Sequence, residues 1–255
     1  MDIIVLLKSV IATDEPIRVV NGSVDDRSTK RTINPYDEYA LEEALRIKEA
    51  QGATVTALSL GGDAAPEALR TALAMGADEA VWIRAETDGL DEYAASALIA
   101  SALRQRSCDL AFAGHLSVDN GAGQVAIRVA ELLGWPHAGA ITACEIDGGV
   151  ARVTRDAEGD SERWEVPLPA VLTAQQGLNE PRYPALAGIM KAKRKPLAEL
   201  APDALGGAAA ARSERLACEA PPARPAGRKL AGSPREQAAE LLELLRGEAK
   251  VLERG

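Results

Sequence analysis

Four short apolar runs, at residues 3–7, 55–60, 80–83 and 110–113, recur through the first half of the chain, separated by stretches with helical periodicity. Near-continuous apolar runs of this length predict strands covered on both faces. The first helix is predicted from its start signals: Asn34 as cap, Pro35 at the first helical position, and Asp37 placed to close a capping box. Its apolar side runs Ala40, Leu41, Ala44, Leu45, Ile47, which leaves Glu42, Glu43, Arg46 and Lys48 to face water; Gly52 ends it. Further helices are expected over 66–75, 92–104 and 121–133, the last burying Val125, Val129, Leu132 and Leu133 and stopping at Gly134. Strand–helix alternation of this kind predicts an α/β fold built on a parallel sheet with right-handed crossovers.

After residue 140 the pattern changes. Alternation around Asp147-Gly148-Gly149 reads as an antiparallel hairpin, a second turn at Glu158-Gly159 leads to another strand over 164–168, and 170–174 is a further buried strand. The α/β domain is expected to span 1–200. Residues 201–234 hold 11 Ala, 5 Pro and 4 Gly and few large apolar groups, the composition of a linker or arm. Beyond it, Ser233, Pro234 and Glu236 start a last helix, with Ala238, Leu241, Leu242, Leu245, Ala249 and Leu252 on one stripe. Such a tail, 201–255 as a whole, docks either on its own domain or on a partner chain.

Composition narrows the function. The net charge of −9 disfavours a nucleic-acid binder that relies on its overall field, and 3% aromatic residues leave little for base stacking. No run approaches the roughly 18 apolar residues of a spanning helix, and the first residues have neither the basic start nor the apolar length of a signal peptide. The expectation is a cytoplasmic chain without membrane insertion. Cys108, Cys144 and Cys218 are far apart and odd in number, and with only His115 and His137 beside them no metal site is expected.

Candidate chemistry concentrates at Gly114-His115-Leu116-Ser117-Val118-Asp119-Asn120-Gly121-Ala122-Gly123-Gln124-Val125, where a buried strand runs into a small-residue loop that opens a helix. Unpaired amides and the helix dipole make such a start an anion site, and glycine lets backbone approach a phosphate. The stretch 121–126 fits G-x-G-x-x-A, but it lies too far from its strand and too late in the chain for a dinucleotide fingerprint. Asn34-Pro35-Tyr36-Asp37 falls on the same sheet edge, where open α/β sheets bind ligands. His115 reads as a solvated loop histidine and His137 as structural, since no nucleophile motif accompanies either. A second feature is Leu178-Asn179-Glu180-Pro181-Arg182-Tyr183, continuing through Leu186, Ile189 and Met190 to Lys191, Lys193, Arg194 and Lys195. Its apolar residues either anchor a partner protein or tuck back into the core.

Along nearly its whole length the chain resembles the small (beta) subunit of electron transfer flavoproteins. The resemblance is carried by Asn34-Pro35-Tyr36-Asp37-Glu38, by Leu69-Arg70-Thr71-Ala72-Leu73-Ala74-Met75-Gly76-Ala77-Asp78, by the 114–124 loop and by the 178–193 stretch. It implies an adenine-nucleotide alpha-hydrolase-like fold with an added hairpin, and a subunit without catalytic residues of its own. It implies pairing with an alpha subunit that holds most of an FAD, and a role in fatty acid β-oxidation. Electrons would come from acyl-CoA dehydrogenases and leave to a quinone-reducing oxidoreductase. A buried AMP would be contacted by Leu6, Asn34, Pro35, Tyr36, Asp37, Leu60 and the loop residues Gly114, His115, Ser117, Asp119, Asn120, Gly121, Ala122, Gly123, Gln124 and Val125. The segment 178–196 would be the recognition loop, with Leu186 as anchor and Tyr183, Ile189, Met190, Lys191 and Lys193 around it, and the C-terminal arm would wrap the alpha subunit.

The chain departs from this pattern at His115, where a basic residue is common, and at Val125, where a threonine is common. Ala187 and Gly188 replace a commoner proline and glycine or asparagine. Electron-bifurcating relatives, which hold a second FAD in place of AMP, also carry valine at the Val125 position, whereas the 179–183 stretch is of the AMP-containing kind. AMP is therefore the favoured occupant. A stand-alone adenine-nucleotide module is the other alternative; an ATP pyrophosphatase would need a Ser-Gly-Gly-x-Asp loop where this chain has Leu7-Lys8-Ser9-Val10-Ile11.

Overall fold

Alternate residues of the first strand enter two different cores. In the computed structural model, which describes residues 1–26, 29–87, 89–222 and 226–252, Ile3 and Val5 join one apolar cluster and Ile4 and Leu6 the other. The elements in chain order are β1 (Asp2–Leu6), β2 (Ser9–Ile11), β3 (Val19–Val20), β4 (Ser23–Val24), β5 (Arg31–Ile33), α1 (Pro35–Gln51), β6 (Thr54–Gly61), α2 (Ala65–Met75), β7 (Glu79–Arg84), α3 (Glu92–Arg104) and β8 (Leu110–Gly114). Then follow α4 (Val125–Leu133), β9 (His137–Asp147), β10 (Val150–Ala157), β11 (Asp160–Pro167), β12 (Ala170–Ala174), α5 (Leu186–Ala192), β13 (Leu197–Leu200) and α6 (Pro234–Gly247). The residues group into two units, Met1–Cys218 and a second beginning at Glu219.

Nine strands form one sheet in the order β11-β10-β9-β12-β8-β1-β6-β7-β13. From β9 to β13 in that order all neighbours are parallel, while β10 and β11 extend one edge as an antiparallel ribbon. Residues of α1 and α2 share one cluster with Ile3, Val5 and Phe112, and residues of α3 and α4 share the other with Ile4, Leu58 and Val81. Helices thus cover both faces, which is why the central strands read as continuous apolar runs. From β1 the chain steps to β6 and β7 on one side, then returns to place β8 on the other. The strand order therefore reverses between β1 and β8.

The predicted α/β class, the hairpin and the four apolar strands are all present. Other expectations need correction. The capping box at Asn34 and Asp37 is not made: Asn34 gives the helix no side-chain cap, because both side chains are drawn into the sheet edge described below. Glu42 and Glu43 do not face water; they are only 3% and 8% exposed. Asn179 Nδ2 donates to Glu43 Oε2 at 3.0 Å, and Arg182 donates through Nε to Glu42 Oε2 at 2.8 Å and through Nη2 to Glu42 Oε1 at 3.0 Å. The stretch from 179 to 182 lies across that face of α1. The fourth helix starts at Val125 rather than at 121, because Gly121 and Gly123 have φ of +65° and +61°, outside any right-handed helical turn. It buries Ala126, Val129 and Ala130, while Val125, Leu132 and Leu133 are only partly covered.

Sequence reasoning missed α5 and the edge strand β13, which pairs with β7; four residues with ordinary spacing carry no signal of their own. Within the stretch expected to be an arm, Leu205 is buried and the amides of Arg212 and Ser213 donate to Asp91 Oδ2 at 2.7 and 2.9 Å; residues 223–225 lie outside the described ones. The capping box of α6 forms between Ser233 and Glu236, but the helix ends at Gly247, so Ala249 and Leu252 fall beyond its stripe, and Leu241 and Leu242 stay exposed. Among the described residues no helix is long and apolar enough to cross a membrane.

Burial acts to raise the Glu42 carboxyl, but the hydrogen bonds and charge of Arg182 prevail and hold it below its ordinary value of 4.5. Replacing Arg182 with Met is expected to cost about 2–3 kcal/mol at pH 7, because it leaves a buried carboxylate with Arg46 as its remaining cationic partner. A depressed carboxyl contributes stability above its unfolded value and loses it as pH falls. The gap between wild type and Arg182→Met in urea unfolding should therefore shrink below pH 4.5; a gap constant down to pH 3 would contradict it.

Candidate functional site

At the reversal of strand order, the carboxyl ends of β1, β6 and β8 open into a cleft of about 990 Å3 including its mouth. Its position obeys the general rule for open α/β sheets. One side chain organises it. Asp37, in the first turn of α1, accepts from the backbone N–H of Lys8 at 2.7 Å through Oδ2 and from that of Gly114 at 2.9 Å through Oδ1. Those amides follow β1 and end β8, where the ladder no longer supplies acceptors. Burial pushes the Asp37 carboxyl up to about 7, against the opposing hydrogen bonds from Asn34, Lys8 and Gly114. Gly114 is the only residue type that fits its place: a Cβ there would overlap Asp37 Oδ1 and lie 2.6 Å from Tyr36 Cβ and 2.7 Å from the Tyr36 carbonyl carbon.

Asn34 is buried and clips the loop that follows β8. Its Nδ2 donates to Asp37 Oδ1 at 3.1 Å and to the Leu116 carbonyl at 2.8 Å, and its Oδ1 accepts from the Val118 amide at 3.1 Å. From the end of β1, Lys8 Nζ donates to Asp119 Oδ1 at 2.8 Å and to Ser117 Oγ at 3.3 Å. Ser117 Oγ donates to Asn120 Oδ1 at 2.9 Å, which also accepts from the Ala122 amide at 3.2 Å. The loop is thus pinned at 114, 116, 117, 118 and 119 before it turns into α4, whose first-turn amides have no partners inside the helix.

Of the residues proposed from sequence, Leu6, Asp37, Leu60, Gly114, His115, Ser117, Asn120, Ala122, Gly123, Gln124 and Val125 line the cleft. Asn34, Pro35, Tyr36, Asp119 and Gly121 do not; they stand behind it, and Asn34 and Asp119 shape the loop. His115 is half-buried rather than solvated. Burial and the nearby Arg155 charge lower its pKa, and its Nδ1 is buried without a hydrogen-bond partner. Sequence reasoning missed the opposite wall, made by Thr87, Leu90, Asp91, Glu92, Ala95 and Ile99. The cap residue Asp91 before α3 was the one local signal available there, and it accepts from the Ala94 amide at 2.9 Å.

A second surface lies elsewhere on the same unit. Tyr183 and Leu186 are 93% and 78% exposed, and Ile189 and Met190 are also exposed, so these apolar residues do not tuck into the core. Their segment is held firmly at both ends. Upstream, besides Glu42, Arg182 binds Glu49 through Nη1 at 2.5 Å, and Asn179 Nδ2 reaches the Tyr39 carbonyl at 2.9 Å. Downstream, Arg70 Nη1 donates to the carbonyls of Ala192 at 2.7 Å and Lys195 at 2.9 Å. Between them Gly188 rests against α2 so closely that a Cβ would overlap the Ala74 carbonyl oxygen. Lys191 and Lys193 remain exposed beside it, whereas Lys195 Nζ turns inward to the Ala77 carbonyl at 2.5 Å.

The sequence of this framework matches known proteins. A profile described as Electron transfer flavoprotein domain fits residues 22–205. Over 257 aligned residues the chain is 47% identical to the electron transfer flavoprotein subunit beta of Bacillus subtilis, covering 99% of this chain and 100% of the other. The chain belongs to the electron transfer flavoprotein family. Its likeness to the beta subunit of Syntrophomonas wolfei is 40% over 98% of each chain, and to that of Homo sapiens 35% over 89% and 92%. The beta-subunit resemblance read from the motifs is thereby borne out, and the doubly wound fold agrees with it.

In this member of the electron transfer flavoprotein family, Gly114 leaves no room for a side chain. Gly114→Ala is expected to lose about 3 kcal/mol, since the new methyl meets backbone and a buried carboxylate that cannot withdraw. A melting temperature within 2 °C of wild type would refute this account of the β8 end.

Proposed function

We propose that this chain is the beta half of a two-chain flavin electron carrier and takes no catalytic step of its own. It pairs with an electron transfer flavoprotein alpha subunit, which holds most of the FAD, and binds AMP in the cleft as a structural element. Acyl-CoA dehydrogenases dock on the Tyr183–Met190 surface, and a quinone-reducing oxidoreductase receives the electrons. The observation that carries this reading is the exposed apolar helix α5 clamped to α2 and flanked by Lys191 and Lys193. An apolar anchor on a preorganised base, rimmed by cations, suits recognition of an acidic partner surface. The family names of the similar proteins support the pairing and the flavin.

The cleft fits AMP on its own terms. Its apolar floor of Leu6, Leu58, Leu60 and Ile99 suits a base, and the unpartnered His115 Nδ1 offers a polar contact. The first-turn amides of α4 suit a phosphate. A second FAD, as in electron-bifurcating members, is the alternative favoured by Val125, which supplies no hydroxyl at that helix start. Against it, the Asn179–Tyr183 stretch is of the kind found in AMP-containing members. When bound, the flavin supplies the redox chemistry; the residues of this chain hold the nucleotide, exclude water from the cleft floor and present the docking surface.

Two measurements test the reading. Acid release of nucleotide from the purified complex, identified by mass, should give one AMP and one FAD per heterodimer; two FAD and no AMP would replace the AMP assignment with the bifurcating one. Leu186→Ala should weaken electron transfer from an acyl-CoA dehydrogenase by about 2 kcal/mol, near thirtyfold in kcat/KM, with little change in melting temperature. A lower melting temperature with normal coupling would show instead that Leu186 serves the fold.

A further inference from the structure

Charge is unevenly distributed around the cleft. Among the described residues that line it, Lys8 is the one permanent cation, facing Asp37, Asp91 and Glu92. The carboxylates are already engaged: Asp37 by the Lys8 and Gly114 amides, Asp91 by Ala94, Arg212 and Ser213, and Glu92 by Asn120 Nδ2 at 3.2 Å. His115, whose protonation burial opposes, adds no dependable charge. A phosphate carries close to two negative charges near neutral pH, and helix amides contribute only a fraction of one.

The geometry points to Lys8 as the residue that neutralises the phosphate of the nucleotide bound in the cleft, with Asp119 as its resting partner. This rests on the reading of the cleft as an AMP site. Lys8 follows β1 at the strand reversal, and its amide is fixed by Asp37, so the start of its side chain is held in place. From there Nζ crosses to the loop, where it meets Asp119 and Ser117. Nζ reaches both Asp119 oxygens, Oδ2 at 2.7 Å and Oδ1 at 2.8 Å, as well as Ser117 Oγ, so its three donors are engaged at rest and a bound phosphate would draw one of them from Asp119. Lys8 and Ser117 line the cleft while Asp119 does not, and the Lys8 side chain is 41% exposed. Asp119 can therefore hold the ammonium at the cleft wall without itself presenting charge to the ligand. A phosphate placed at the α4 amides would share Lys8 with Asp119, and among the described residues lining the cleft no other lysine or arginine could substitute.

The test is the equilibrium binding of AMP and of adenosine to the purified complex, freed of bound nucleotide, in wild type, Lys8→Met, Lys8→Arg and Asp119→Asn. Lys8→Met should weaken AMP at least tenfold and adenosine less than twofold. Lys8→Arg should keep AMP within about threefold, and Asp119→Asn, which frees the ammonium, should tighten AMP and leave adenosine unchanged. AMP binding undiminished in Lys8→Met, or parallel losses of AMP and adenosine, would reduce Lys8 to a brace for the loop. Wild type binding neither ligand would overturn the nucleotide reading and this proposal together. Should Lys8→Met not fold, Asp119→Asn decides: AMP weakened in step with adenosine overturns the proposal.

Discussion

A buried carboxylate with three hydrogen-bond donors around it holds this molecule's functional edge together. Asp37 takes the amide that follows β1 and the amide that ends β8, and receives Asn34 as a third partner. Two parallel strands diverge at that point, and their last N–H groups would otherwise be buried without acceptors, at a cost of about 1–3 kcal/mol each. Because the same carboxylate sits in the first turn of α1, it also fixes where that helix begins. The cleft exists because this tie holds β1 and β8 together while the loop after β8 is free to turn away. Gly114 is the steric counterpart of that tie, since any side chain there would occupy the space Asp37 and Tyr36 require.

The exposed surface of α5 obeys a related constraint. An exposed apolar helix of seven residues has little intrinsic stability, so α5 depends on its neighbours. Arg70 takes carbonyls at its C-terminal end, Gly188 permits backbone contact with α2, and upstream Arg182 and Asn179 anchor the chain on α1. The two buried glutamates of α1 are therefore the base of a platform rather than part of a solvated face. Rigidity here would lower the ordering cost of the association proposed for this surface, in which Leu186 takes part without contributing to the core.

Cleft and platform are attached to the same helix, α1, through opposite ends. Asp37 near its start organises the cleft; Glu42, Glu43 and Glu49 further along hold the platform. Lys48, in its last turn, pairs with Asp78 at 2.5 Å and so ties it to the entry of β7. Because cleft and platform share this element, whatever fixes α1 fixes both.

Much of this was legible in the residue order. The apolar runs at β1, β6, β7 and β8, the limits of α3 and the hairpin at Asp147-Gly148-Gly149 follow from period and turn chemistry, which act between neighbours within a few residues. Motifs at 34–38, 114–124 and 178–193 sufficed for the family. What only the tertiary structure decided is the environment of polar groups: that Asn34 and Asp37 serve strands and loop instead of capping α1, that Glu42 is buried, that His115 is half-covered, that Leu186 is exposed, and that Asp91 faces the cleft. Gly114 meets Asp37 across 77 positions and Arg182 meets Glu42 across 140. A helical period marks Glu42 as polar and outward, and nothing within a turn of it reveals the arginine that folds back to cover it. Local pattern determines which element a segment forms, whereas the partner of a buried charge is determined by which distant segments the sheet order brings together.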